Sequence, residues 1–272
     1  MKAVILAAGY ATRLVTRTEG GKIAKTMLPI KAENKNQPIL YYLLDKIEEV
    51  NSFNPNTFDE VIVITNALYY PQICEACKNY HGSIATTVLS DGTKVKEESK
   101  GANADLNLAN RYIPYDYEED VMVLASDNYF DLDLETLIDY KRAYDAQGGG
   151  SSNIIVGKVY PKSEREFIAK NFGILNFEKN NKIVELQEKP GIKNCKSDVV
   201  SLALYLFNRP DFSLLDEYLN EYADDKKMRD SLGHFMNYLI HNTNTYVFPH
   251  TGIFYDIGTP EEYDKLSGGK TL

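Results

Sequence analysis

No run of about 18 apolar residues occurs in this 272-residue chain, so no stretch reads as a membrane-spanning helix. Cysteine is scarce. Cys74, Cys77 and Cys195 are too few for a disulfide framework and agree with a reducing compartment. Cys74-Glu75-Ala76-Cys77 is a lone C-x-x-C, without the second pair or nearby histidine that a zinc site needs. Its simplest reading is two residues one helical turn apart; a redox pair is the other. Positive charge is also lacking. At a net charge of −9 the chain does not supply the clustered Lys and Arg of a general nucleic-acid binder. The N-terminal Met1-Lys2-Ala3-Val4-Ile5-Leu6 has no long apolar region with a cleavage site, so a cytoplasmic location is expected, with no membrane partner. No repeat or low-complexity tract is visible. What remains is ordinary for a globular protein: 43% apolar and 25% charged residues. A chain of this size buries roughly three-quarters of its unfolded surface and needs no staple.

Short apolar runs alternate with helix-like stretches through the first half. Strands are expected over 2–8, 60–65, 84–89 and 120–125. Helices are expected over 37–50, 70–80 and 102–112, the first from apolar spacing at Ile39, Leu40, Leu43, Leu44, Ile47 and Val50. This alternation indicates an α/β, doubly wound sheet with ligands beyond the carboxyl ends of its strands. The pattern changes after Gly148-Gly149-Gly150. Strands over 153–160, 172–177, 183–187 and 199–207 then follow with few helices between them, an expected antiparallel or mixed region. Helices are expected over 211–222 and 228–241, and short strands over 245–249 and 253–257. Thr259 caps a last helix with Pro260 at its first position.

Two post-strand segments stand out. One is the opening loop, which carries Gly9, Arg13, Lys22 and Lys25 and reads as long, flexible and cationic. The other is Ser126-Asp127-Asn128. Gly9 suits a tight turn or close approach of backbone to phosphate. Arg offers phosphate a planar fork and Lys a mobile point charge. Structural turns and solvated basic loops explain such features equally well one at a time.

Four ordered motifs lift them above that. Leu6-Ala7-Ala8-Gly9-Tyr10-Ala11-Thr12-Arg13-Leu14 with Lys25-Thr26-Met27-Leu28-Pro29-Ile30, then Ser126-Asp127-Asn128-Tyr129-Phe130, then Phe172-Gly173-Ile174 with Glu188-Lys189-Pro190, then Tyr255-Asp256-Ile257-Gly258-Thr259-Pro260, span almost the whole chain. Together they resemble the sugar-1-phosphate nucleotidyltransferases, which include glucose-1-phosphate thymidylyl- and uridylyltransferases. The departures are Ala11 in place of the second loop glycine, Thr16 and Thr26 in place of prolines, and about two extra residues between Arg13 and Lys25. The signature lysine is carried to Lys25 because Met-Leu-Pro-Ile follows it; Lys22 is the runner-up.

The resemblance implies a Rossmann-like doubly wound mixed sheet with an inserted antiparallel substrate-binding region, in one domain over 1–272. Residues 1–150 would mainly bind nucleotide and 151–257 sugar phosphate. It implies a reaction in which a sugar-1-phosphate oxygen attacks the α-phosphorus of a nucleoside triphosphate and pyrophosphate leaves. Such chemistry rests on positioning and charge stabilisation. Asp127 and Asp256 would hold Mg²⁺, which favours hard oxygen donors. Arg13, Lys25 and Asp127 would be catalytic. Leu6, Ala8, Gly9, Arg13, Gly101 and Asp127 would contact nucleotide, and Gly173, Glu188 and Lys189 the sugar phosphate. Gly101 reads equally well as a helix-entry turn. Family members are commonly dimers or tetramers, so a homo-oligomer is expected by analogy. The chain ends shortly after the last helix, so one activity is expected, without an appended acyltransferase domain.

Leu202-Ala203 stands where relatives often have Thr-Gly. A more apolar wall there leaves another acceptor open, such as phosphocholine. Two other readings remain at this level. Asp131-Leu132-Asp133 has the spacing of a glycosyltransferase metal pair, although Asp also opens helices. A non-catalytic homologue would keep the fold and typically lose the cations and carboxylates retained here.

Overall fold

The computed structural model describes residues 1–32, 35–149 and 151–267. In chain order its elements are β1 (Lys2–Ala7), β2 (Pro29–Ala32), β3 (Lys35–Pro38), α1 (Ile39–Phe53), β4 (Glu60–Thr65), α2 (Tyr70–Asn79), β5 (Ala85–Ser90), α3 (Ala102–Tyr112), β6 (Val121–Ala125), β7 (Asn128–Phe130) and α4 (Leu134–Tyr144). They continue as β8 (Asn153–Val159), α5 (Arg165–Asn171), β9 (Gly173–Phe177), β10 (Ile183–Glu188), β11 (Val199–Phe207), α6 (Arg209–Glu221), α7 (Lys226–Asp230), α8 (Leu232–Asn242), β12 (Thr245–His250), β13 (Phe254–Asp256) and α9 (Pro260–Ser267). The chain forms two compact units. The first holds Met1–Lys100, Leu124–Leu134 and the chain from Ile253; the second holds Gly101–Val123 and Glu135–Gly252. The units therefore part elsewhere than at the glycine run, whose last member, Gly150, lies outside the described residues.

In the first unit β1, β4 and β5 run parallel, in register from Lys2 beside Glu60 and Glu60 beside Ala85. Ala3, Val4, Ile5, Ile62, Val63 and Ile64 are fully buried, as the continuous apolar runs require of a sheet covered on both faces. Leu40, Leu43 and Ile47 of α1 are equally buried, on one helical stripe. Helix α1 starts at Ile39 and not at residue 37. Gln37 and Pro38 instead pair with Ile30 and Pro29 in the β2–β3 hairpin, and the proline ring suits the residue just outside a helix.

In the second unit β10, β9 and β11 are antiparallel neighbours, and β8 joins β11 antiparallel and β12 parallel. The mixed character matches expectation; in the turn between β9 and β10 Asn181 adopts φ +65°. Helix α5 was not expected, because its seven residues are too few to establish a period. The helix expected over 228–241 is two helices. Ser231 has extended backbone, φ −97° and ψ 124°, and separates α7 from α8.

Helix α1 positions the strand after Asp127. Tyr42, 2% exposed, donates from Oη to the Phe130 carbonyl and stacks on Tyr129 with ring centroids 4.9 Å apart. Tyr42→Phe removes the donor and leaves that carbonyl poorly satisfied. The expected loss is about 1–2 kcal/mol, read as a lower urea midpoint at unchanged slope.

Candidate active site

Strand β6 ends in a turn at Ser126-Asp127, and β7 leaves it. Strand β13 runs antiparallel to β7, setting Asp256 opposite Asn128 and Tyr255 opposite Tyr129. The Ile257 amide donates to the Asp127 carbonyl at 2.8 Å. This two-stranded ribbon brings together two carboxylates that are far apart in the chain.

Lys25 joins them. Its ammonium donates to Asp127 Oδ2 in an ion pair whose side chains are 16% and 25% exposed. Lys22, the runner-up for the signature lysine, is exposed. Arg13 approaches from the Thr12–Leu14 turn. A Cβ added to the buried Gly258 would lie 2.9 Å from Arg13 Nη2 and 3.2 Å from Asp256 Oδ1. That glycine lets guanidinium and carboxylate flank the backbone, a role only its neighbours in space reveal. Burial raises the Asp256 carboxyl, and the Asp127 charge adds to it. Lys25 and Arg13 oppose the shift without cancelling it, and the result is about 6 against an ordinary 3.8. A nearby carboxylate of like charge disfavours ionisation of the buried Asp256.

The opening loop is not the flexible strip expected. It folds into hydrogen-bonded turns: Arg17 and Thr18 amides donate to the Leu14 carbonyl at 2.8 and 3.0 Å, and the Gly20 amide to Val15 at 3.0 Å. Leu14 is 1% exposed and Thr18 fully buried. Arg17 grips Asp264 of α9 with two bonds of 2.9 and 2.7 Å. Thr259 caps α9 as expected, accepting from the Glu262 amide at 3.3 Å. Gly9 is exposed, has no positive φ, and would have open space around an added Cβ. Left-handed backbone in this loop falls at Ala11, φ +51°, and at Glu19, Gly20 and Gly21. The Ala8 carbonyl accepts from Asn66 Nδ2 at 2.9 Å, and the Leu6 carbonyl from the Ser126 amide at 3.0 Å.

In the second unit Gly173 pairs with Glu188 across β9 and β10. Ser231, which sequence reasoning missed, donates to Glu188 Oε1 at 3.2 Å. A Cβ on Gly233 would overlap the same carboxyl. Lys189 is exposed and left-handed at φ +46°, with its amide on the Phe172 carbonyl at 3.2 Å. Gly101 precedes α3 at φ +91°, and an added Cβ would lie 2.6 Å from the Arg229 carbonyl. Helix entry and protein packing thus both favour a glycine there. Leu202 is buried while Ala203 is partly exposed.

Asp131 Oδ1 accepts from the Ile253 amide at 2.8 Å, and the Asp131 amide donates to the Ile253 carbonyl at 3.2 Å, so Asp131 ties the β7 end to the segment before β13. Cys74 and Cys77 are free on α2, and burial pushes the Cys77 thiol up to about 11, which suppresses thiolate.

Residues 2–269 match the family described as nucleotidyl transferase. The chain belongs to the nucleotidyl transferase family. It is 27% identical over 272 residues to the bifunctional protein GlmU of Methanocaldococcus jannaschii, covering 100% of this chain and 54% of that one. It is 29% identical over 279 residues to a glucose-1-phosphate adenylyltransferase of Thermosipho melanesiensis, covering 96% and 59%. The chain thus spans little more than half the length of these curated relatives. A crystal structure of UDP-glucose pyrophosphorylase complexed with UDP-glucose shares the fold, with a TM-score of 0.75 at 17% identity over 98% of this chain and 97% of that one. This nucleotidyl transferase family member is thus α/β with a mixed sheet, as its alternating pattern indicated. Among the described residues no helix is long and apolar enough to cross a membrane.

The Asp256 shift has a measurable sign. Its folded value lies above its unfolded one, so its contribution to stability is present below pH 4 and is lost as pH rises toward 6. Asp256→Asn removes the buried charge. In chelator-treated protein the variant should melt a few degrees above wild type at pH 7.5, with the gap closing by pH 4. Equal melting temperatures at pH 7.5 would place Asp256 in an unstrained environment.

Proposed function

We propose that this chain catalyses nucleotidyl transfer from a nucleoside triphosphate to a sugar-1-phosphate, releasing pyrophosphate. The observation that carries this reading is the convergence of Asp127, Asp256, Lys25 and Arg13 on one ribbon. The reaction must cancel repulsion between two polyanions. The ribbon offers two cations and a pair of hard-oxygen donors for that task.

Mg²⁺ is the cofactor this donor set fits. Among the described residues no group of three or more His, Cys, Asp and Glu side chains could hold a metal. Mg²⁺ needs only one or two carboxylates when substrate phosphates and water complete its shell. When bound, it would neutralise developing phosphate charge beside Asp127 and Asp256. Lys25 can exchange Asp127 for a phosphate oxygen, and Arg13 can hold the departing pyrophosphate with its fork. In-line attack then needs positioning rather than a covalent nucleophile.

The second unit would serve the acceptor. Glu188 can accept from sugar hydroxyls, and Lys189 can pair with the sugar phosphate. Ser231 and the backbone of Gly173 hold Glu188 in place. The names of the relatives point to more than one base, and Gly101 remains the candidate for backbone approach to it. A cytoplasmic location and a homo-oligomer belong to the same proposal.

Pyrophosphate release across a matrix of nucleoside triphosphates, sugar-1-phosphates and phosphocholine tests the reading, with one productive pair expected. Release with phosphocholine alone would replace the sugar acceptor; triphosphate binding without any release would reject the transfer reaction. Asp127→Asn should lower turnover by about 100-fold or more, on the scale of losing one transition-state contact. Lys25→Ala should slow turnover far more than Lys22→Ala, and the reverse ranking would move the signature lysine to Lys22.

A further inference from the structure

The loop that leaves β1 carries Arg13 toward the carboxylate pair, and its backbone-bonded turns begin at Ala11, whose carbonyl accepts from the Leu14 amide at 2.8 Å. Gly9 is exposed with open space around it. Ala11 holds a left-handed backbone at φ +51°, a conformation that costs a residue with a Cβ about 1–2 kcal/mol. Such strain persists where the surroundings over-determine it.

Tyr10 lies between these two residues and reaches the turn after β5. Its Oη is 2.6 Å from Thr93 Oγ1. Thr93 Oγ1 is 2.8 Å from both oxygens of Asp91, and the Thr93 amide donates to Asp91 Oδ1 at 2.7 Å. Asp91 and Thr93 are only 5% and 3% exposed. The direction of this relay follows from proton counting. An ionised carboxylate only accepts, so the Thr93 hydroxyl gives its single proton to Asp91. Its oxygen must then accept from Tyr10. A buried carboxylate polarises the hydroxyl and strengthens the outer bond.

The turn is itself fixed. The Asp91 amide donates to the Thr65 carbonyl at 2.9 Å, and the Ala67 amide to the Thr93 carbonyl at 2.8 Å. Lys100 Nζ donates to the Asp91 carbonyl at 3.0 Å. A rigid platform at the ends of β4 and β5 thus holds the middle of the Gly9–Ala11 segment by one phenol.

We propose that the Tyr10–Thr93–Asp91 relay is a tether that sets the loop before nucleotide arrives, making Tyr10 a positioning residue for triphosphate binding. This inference rests on the nucleotidyl-transfer reading. Tyr10 touches no reacting atom in it. The tether spares the ordering cost that a free loop would meet on binding. Its loss should therefore weaken triphosphate binding and leave the chemical step alone.

Tyr10→Phe removes only the hydroxyl of a partly exposed ring, so the protein should still fold. We expect the KM for triphosphate to rise about fivefold, the scale of one hydrogen bond, with kcat within about twofold. Backbone hydrogen exchange over residues 9–14 of the nucleotide-free protein should quicken by a similar factor. Thr93→Ser should keep both properties, and Thr93→Val should copy Tyr10→Phe. The Tyr10→Phe/Thr93→Val double variant should be no worse than Thr93→Val alone, because both changes remove the same Tyr10–Thr93 bond. Unchanged loop exchange in Tyr10→Phe would overturn the tether. So would Thr93→Ser as impaired as Thr93→Val. Faster exchange with unchanged KM would overturn the positioning role. If the wild type released no pyrophosphate from any triphosphate, the transfer reading would fall, while exchange would still judge the tether.

Discussion

The arrangement depends on the cost of holding two carboxylates close together in a half-dehydrated place. Burial and mutual repulsion raise Asp256, and the two nearby cations do not undo the shift. Such a pair is costly by itself, and Lys25 and Arg13 offset part of that cost. The β7–β13 ribbon makes the pair unavoidable: its register sets Asp256 opposite Asn128, and the Ile257–Asp127 hydrogen bond closes its end. Tyr42 holds the far end of that ribbon against α1. The site is thus built on paired strands and a buried helix, which position side chains more tightly than free loops do.

The cations come from the opposite kind of structure. Arg13 and Lys25 stand on short turns between β1 and β2, and those turns borrow their rigidity from elsewhere. Leu14 and Thr18 are buried beneath them. Helix α9 clamps them through Arg17–Asp264, and Tyr263 ties it to the Pro29 carbonyl at 2.9 Å. The last helix therefore positions the first loop. A basic loop held in this way can meet a polyanion without a large ordering cost.

The second unit shows the same economy in its glycines. Gly233 leaves room for the Glu188 carboxyl, and Gly101 leaves room for the Arg229 carbonyl. Neither requirement is local. Gly101 also needs its positive φ, so any side chain there would be strained twice.

The sequence by itself determined the class of the fold and the identity of the chemical groups. Continuous apolar strands alternating with amphipathic helices leave few architectures open, because hydrophobic periodicity is written locally. Four ordered motifs named Arg13, Lys25, Asp127 and Asp256 before any geometry was known. Only the tertiary structure decided which groups meet. It placed the Lys25 ammonium on Asp127. It gave Ala11 a left-handed backbone, broke the expected 228–241 helix at Ser231, and folded the supposedly flexible loop. It also tied Asp131 to Ile253 and linked Tyr10 to Asp91 through Thr93. The reason is physical. Propensity and periodicity act over a few residues, whereas a carboxylate pair, a packed glycine and a hydrogen-bond relay join residues from distant parts of the chain. Register and burial fix those meetings, and neither is visible until the strands have paired.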